Sequence, residues 1–130
     1  MRIAQYCIAV AATAALCGMT VGITMAIRQD FSLMPAHAHL NLLGWVSMAL
    51  YGLYYRGAEA IRPRLAWSQA IVATIGFVAM SGGLALLLGT GQERFEAIVS
   101  VGAIFAFLGM ALFLFQVVTE RRTARIAQRA

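Results

Sequence analysis

The chain of 130 residues has no lysine, only five acidic residues and only two histidines, and charged side chains make up 12% of it. A soluble domain carries about a quarter charged residues and about half apolar ones. Here 62% are hydrophobic and the mean hydropathy is +0.80, so polar surface is too scarce to wrap a core. Cysteine is scarce too. Cys7 and Cys17, ten positions apart on one helix, lie about 15 Å apart, beyond the ~7 Å reach of a disulfide. No CxxC pair is available to a thiol exchanger, and both cysteines read as small core residues. These absences exclude a secreted disulfide scaffold, a disordered tail and an ordinary soluble enzyme.

Four long apolar runs are present, at 3–27, 36–55, 65–89 and 97–118, and none contains Asp, Glu, Lys or Arg. A hydrocarbon core of about 30 Å needs about 20 helical residues. Each run is long enough, which predicts an all-α integral membrane four-helix bundle over residues 1–118 followed by a basic cytoplasmic tail at 119–130. The first run follows Arg2 and passes Ala12 and Ala14, which loosely suit a cleavage site. It is nevertheless longer than the hydrophobic region of a signal peptide and reads as a span.

Arginine sets the orientation. Arg2, Arg56, Arg62, Arg64, Arg121, Arg122, Arg125 and Arg129 fall on one side of a four-span topology, and only Arg28 and Arg94 on the other. The positive-inside rule then puts both termini in the cytoplasm of a bacterial-type inner membrane. Tyr6, Tyr54, Tyr55 and Trp67 lie near the inner boundary, and Phe31 and Phe95 near the outer one. The net charge of +5 is therefore a topology signal. Nucleic acid is not an expected partner, because the arginines flank spans and form no stripe interleaved with stacking aromatics. The arginines of the tail are read as anchors to anionic headgroups, worth about 1 kcal/mol each near the surface, with docking to a partner protein as the alternative.

Small residues must carry helix packing, since lipid supplies no hydrophobic force between spans. Gly18 and Gly22 form a GxxxG pair, and Ala79 with Gly83 and Gly102 with Ala106 have the same spacing. These pairs predict close contact within the bundle or between protomers.

The second run is the informative one. Pro35 suits the first turn of a helix, and His37 and His39, the only histidines, follow at once near the outer boundary. Ionisable residues inside spans usually face a bundle interior or cavity and carry function, and neutral imidazole is the commonest metal ligand. At 100° per residue the two rings point about 200° apart, so one helix cannot offer both to one metal. One face carries His37, Asn41, Gly44, Met48, Tyr51 and Tyr55. The other carries His39 with Leu42, Leu43, Val46, Leu50 and Leu53. Gly44 is expected to leave a gap where a flat group lies close to the backbone, with Trp45 packing on that group or filling the core. At least one histidine is expected to be a metal or haem ligand; the alternative for each is a hydrogen bond to a neighbouring helix.

The string HAHLNLLGW, continuing through LYGLYY, resembles the second transmembrane helix of the haem-copper oxidase subunit I superfamily, particularly its nitric oxide reductase side. There a histidine near the outer end ligates the low-spin haem. The resemblance covers about 20 residues well and the four-span order loosely. It implies haem b, with His39 in the ligand position, Asn41 two residues on, and His37 as the second candidate. The family's remaining haem and copper ligands come from later helices, and this chain has no further histidine. One copy therefore lacks a complete centre for reducing oxygen or nitric oxide. The family arranges twelve helices as three arcs of four, which implies a homotrimer here, or a dimer, in which a second protomer supplies the sixth iron ligand.

If haem is bound, Arg28 and Arg94 lie at the level of the histidines and suit its propionates. Their alternative is local pairing, Arg28 with Asp30 and Arg94 with Glu93 or Glu96. The function these readings imply is a small membrane cytochrome, transferring electrons to a redox partner or sensing a diatomic gas. Bis-histidine ligation favours transfer, and an open iron favours gas binding. A copper-handling protein is the second reading, using His37 and His39 with Met34 and Met25, since thioether and imidazole suit copper. A non-catalytic assembly subunit with structural histidines is the third. A small proton-coupled exporter is set aside, because all five acids lie outside the runs.

Overall fold

The structure, a computed structural model, describes residues 2–58 and 61–127, with side chains described as far as Thr119. Every element is helical. In chain order they are α1 (Ile3–Arg28), α2 (Met34–His39), a π-helical stretch π1 (Leu40–Ser47), α3 (Met48–Gly57), α4 (Pro63–Thr90), a 3-10 turn (Glu93–Phe95) and α5 (Glu96–Ala127). Leu40 and Met48, at the junctions, keep right-handed helical angles. Residues 34–57 therefore form one continuous rod that changes winding twice.

Three helices are long and apolar enough to cross a membrane: Ile3–Arg28, Pro63–Thr90 and Glu93–Thr119. The run at 36–55 corresponds to the composite rod. The last helix continues past Val118 to Ala127, carrying the backbone of Arg121, Arg122 and Arg125, while Arg129 lies outside the described residues.

The helix ends follow local chemistry. Proline, whose missing N–H costs nothing in a first turn, opens the rod as Pro35 and α4 as Pro63. Gly91 ends α4 at a φ of 69°, in the left-handed region that glycine adopts without a Cβ clash. α1 ends on Gln29 at a φ of 51°, held by its own Nε2 donating to the Ala26 carbonyl at 2.7 Å.

The helices form two antiparallel pairs, α1 with the rod and α4 with α5. The second pair meets on glycine. A Cβ added at Gly76 would strike the Ala106 backbone, one at Gly102 the Met80 backbone, and one at Gly109 the Ala73 Cα at 2.9 Å. Gly83 packs likewise on Val99 and Ile98. The pairs are joined around buried Cys7, Ala11, Met48, Tyr51, Tyr55, Ala66, Ala70 and Phe77. Tyr55 donates to Gln69 Oε1 at 2.9 Å, Gln69 donates to the Gly109 carbonyl at 3.3 Å, and Tyr6 donates to Thr74 at 3.1 Å. Cys7 is the core residue expected. Cys17 is not: it faces outward, because it sits on the side of α1 away from the rod.

Candidate functional site

The two histidines part company at the top of the rod. His37 turns toward α1, where its Nδ1 lies 2.9 Å from the Gly18 carbonyl oxygen. A carbonyl only accepts, so Nδ1 carries the proton. Asn41 sits one turn on and donates to the His37 carbonyl at 2.9 Å. Both side chains rest on the glycines of α1. A Cβ at Gly18 would come within 2.6 Å of the Asn41 amide, and one at Gly22 within 3.0 Å of the His37 ring. The GxxxG pair is thus a seat for two polar side chains inside the bundle, and His37 makes the interhelical hydrogen bond that was its structural alternative.

His39 has a different setting. Its Nδ1 lies 2.7 Å from the Pro35 carbonyl oxygen, one turn back on the same helix. That bond again fixes the proton on Nδ1 and leaves the Nε2 lone pair available. The ring lines a groove of about 380 Å3 between the rod and the α4/α5 pair, together with Leu43, Ser47, Tyr51, Met80 and Phe107 among others. His39 was expected to share a face with Leu42, Leu43, Val46, Leu50 and Leu53; instead Leu42, Val46, Leu50 and Leu53 are exposed, and His39 aligns with Leu43, Ser47 and Tyr51. The cause is π1. Its i→i+5 bonding turns the chain less per residue than an α-helix, and Ser47 Oγ, which donates to the Leu42 carbonyl five residues back at 2.9 Å, follows that winding. π-helical segments are rare and frequent at functional sites.

The face of His37, Asn41, Gly44, Met48, Tyr51 and Tyr55 is turned inward as expected, with Met48, Tyr51 and Tyr55 in the core. The gap over Gly44 is a correction. A Cβ there would meet the Ala14 methyl and the Phe77 ring, each at 2.9 Å, so α1 and α4 fill the space assigned to a flat group. Trp45 is likewise neither in the core nor against the groove; it is 47% exposed on the outside of the rod.

Arg28 lies at the end of α1 in a small cleft with Thr24, Asp30 and Ser32. Asp30 has its carboxyl held below the usual range, chiefly because it accepts hydrogen bonds from Ser32, with the Arg28 charge adding to the effect. The Arg94 guanidinium stands 4.9 Å over the Phe95 ring, a cation–π contact. Neither arginine lines the groove of His39. Of the copper set, His37 bonds the Gly18 carbonyl of α1 and His39 the Pro35 carbonyl of its own helix, while Met25 is buried and Met34 is exposed. Among the described residues no group of three or more His, Cys, Asp or Glu is placed to hold a metal ion.

The other wall of the groove was missed in the sequence. Met80, Ala103, Ala106, Phe107 and Met110 line it from α4 and α5, and nothing distinguishes them from other apolar residues of those runs. Compared with known proteins, the chain matches no family model, no curated protein and no solved structure.

Proposed function

We propose that this protein is a small haem b protein of a bacterial-type inner membrane, a four-span bundle with cytoplasmic termini that works in electron transfer or in sensing a diatomic gas. The observation that carries the reading is His39, with Nδ1 tied to the Pro35 carbonyl and the ring on an apolar groove. A ligating histidine characteristically gives its other N–H to a carbonyl or carboxylate, which fixes the tautomer and raises the basicity of the ligand nitrogen. The groove, about 380 Å3 and lined by apolar side chains apart from His39, Ser47 and Tyr51, is smaller than a haem, so the ring would lie only partly within it. The resemblance of HAHLNLLGW to the haem-ligating helix of the oxidase superfamily supports the same residue.

Bound haem would supply a one-electron couple or an iron that takes a gas. The chain's own residues do the rest. His39 Nε2 holds the iron, the Pro35 carbonyl orients the ring, and Leu43, Ala103 and Phe107 keep water away. His37 and Asn41 bind no cofactor in this reading; they lock α1 to the rod so that His39 faces the groove. Assembly as a homotrimer, or a dimer, follows from the resemblance.

Optical spectra of the detergent-purified protein, expressed with adequate haem, test the proposal. The wild type is expected to show a Soret band that sharpens on dithionite reduction. His39→Ala abolishes it, and His37→Ala keeps it while lowering stability. A flat wild-type spectrum refutes haem binding, and haem retained in His39→Ala refutes the ligand.

A further inference from the structure

We infer that the cleft at the end of α1 binds one phospholipid with a primary-ammonium headgroup, phosphatidylethanolamine, with Arg28 taking the phosphate and Asp30 the ammonium. The inference rests on the membrane-spanning reading of the bundle and is independent of haem. The cleft, about 150 Å3, is lined by Thr20, Thr24, Arg28, Asp30 and Ser32 among others. Its height suits a headgroup. α1 has 26 residues and ends at Arg28, a length of about 39 Å. The hydrocarbon core is about 30 Å thick and the bilayer with its headgroups about 40–45 Å, so the last turn of α1 stands among phosphates.

The cleft holds one charge of each sign, and each is free to meet a headgroup. The Arg28 charge is the least of the influences on the Asp30 carboxyl, behind the hydrogen bonds from Ser32. The guanidinium is therefore not docked on that carboxylate, and its fork of donors matches a phosphate. Asp30 Oδ1 accepts the Ser32 amide at 3.0 Å, and a carboxylate has about four acceptor sites in all, so it has capacity for an ammonium that donates. A choline headgroup has no N–H to give, and a glycerol headgroup brings no cation. Net charge argues the same way. This end of the bundle carries Arg28 and Arg94 against Asp30, Glu93 and Glu96, a net charge of −1, so it does not gather anionic lipid. Toward the membrane centre the cleft turns apolar. The Thr24 and Thr20 hydroxyls donate to the carbonyls one turn back at 2.8 and 2.9 Å, which leaves their methyl groups and Val21 to receive the start of an acyl chain.

Native mass spectrometry of the detergent-purified protein tests the site. Wild type, Arg28→Gln, Asp30→Asn and Arg94→Gln are each titrated with phosphatidylethanolamine, phosphatidylcholine and phosphatidylglycerol of one acyl composition, with inorganic phosphate as competitor. Wild type is expected to retain phosphatidylethanolamine over the other two. Arg28→Gln is expected to lose about fivefold in its retention, the most that one exposed ion pair supports. Asp30→Asn is expected to erase the preference over phosphatidylglycerol, and Arg94→Gln to match wild type. Equal retention of the three lipids by wild type, or an Arg28→Gln variant that binds as wild type does, overturns the site. Displacement of the lipid by inorganic phosphate reduces the cleft to an anion site and overturns the lipid. Release of the wild type from membranes by alkaline carbonate overturns the membrane-spanning reading itself, whereas an integral protein with no lipid preference overturns the cleft alone.

Discussion

At Gly44 the rod has room for a hydrogen and nothing more, because the Ala14 methyl and the Phe77 ring close in from two helices. Overpacking of this kind costs about 1–3 kcal/mol, so Gly44→Ala is expected to lower the unfolding temperature in detergent. Gly82, with nothing within 4 Å of an added Cβ, is the control. There alanine is expected to be neutral or to stabilise by up to about 1 kcal/mol, the helix penalty of glycine. Gln116 is fully buried with both amide atoms unpartnered. Leaving such a group unsatisfied costs about 1–3 kcal/mol, so Gln116→Leu is expected to stabilise, read by the same melt. Asp30 gives a pH dependence. Its folded pKa is depressed by the Ser32 amide, which donates to Oδ1 at 3.0 Å. The turn it caps is therefore fully stabilised above the ordinary carboxylate pKa and loosens as pH falls through the lower folded value. Protection of the Ser32 amide, with exchange corrected for its intrinsic pH dependence, should fall across that acidic window in wild type and show no such step in Asp30→Asn.

π1 decides which way His39 faces. α winding over the same length would put His39 about 120° from Tyr51, twelve residues on, whereas deleting Leu42 lets the segment wind as an α-helix with the two eleven residues and about 20° apart. Helical circular dichroism and bound haem are therefore expected to survive the deletion; loss of haem with the helical amplitude kept would show that the facing of the ring alone does not hold the ligand. The same element marks the limit of what the residues reveal by their order. The face from His37 to Tyr55 could be read because its apolar members recur at helical spacing and because a polar pair one turn apart needs an interior. The helix start at Pro35 was legible. The orientation of His39 was not, since nothing in the order of residues 40–47 marks the departure from α winding, and Gly44 within that stretch is closed in by Ala14 and Phe77 of other helices. Met80 and Phe107 gave no signal, being apolar residues in apolar runs. The small pairs Gly18/Gly22 and Gly102/Ala106 were legible as contacts, though not as the seat of His37 and Asn41.

The whole molecule is two antiparallel pairs whose ends alternate, so Arg28 and Arg94 share one end while Arg2, Arg56 and Arg62 share the other. If the arginine bias sets orientation, Gln92→Cys in intact cells is expected to react with a membrane-impermeant maleimide and Ala58→Cys to react only after lysis; the reverse pattern would invert the topology. α5 is bound unevenly. It lies against the α4 backbone through Gly102 and Gly109, and meets the rod toward one end, where the Phe113 ring meets Tyr51 tilted at 4.6 Å and Tyr54 edge-on at 5.1 Å. Between these attachments Phe107 lines the groove and is 74% exposed, so the groove opens on the flank of the bundle. In a bilayer that flank faces acyl chains. The supply of any small solute to His39 is then metered by its partition into oil, and an apolar gas, concentrated in lipid and depleted in water, arrives sideways along the plane of the membrane.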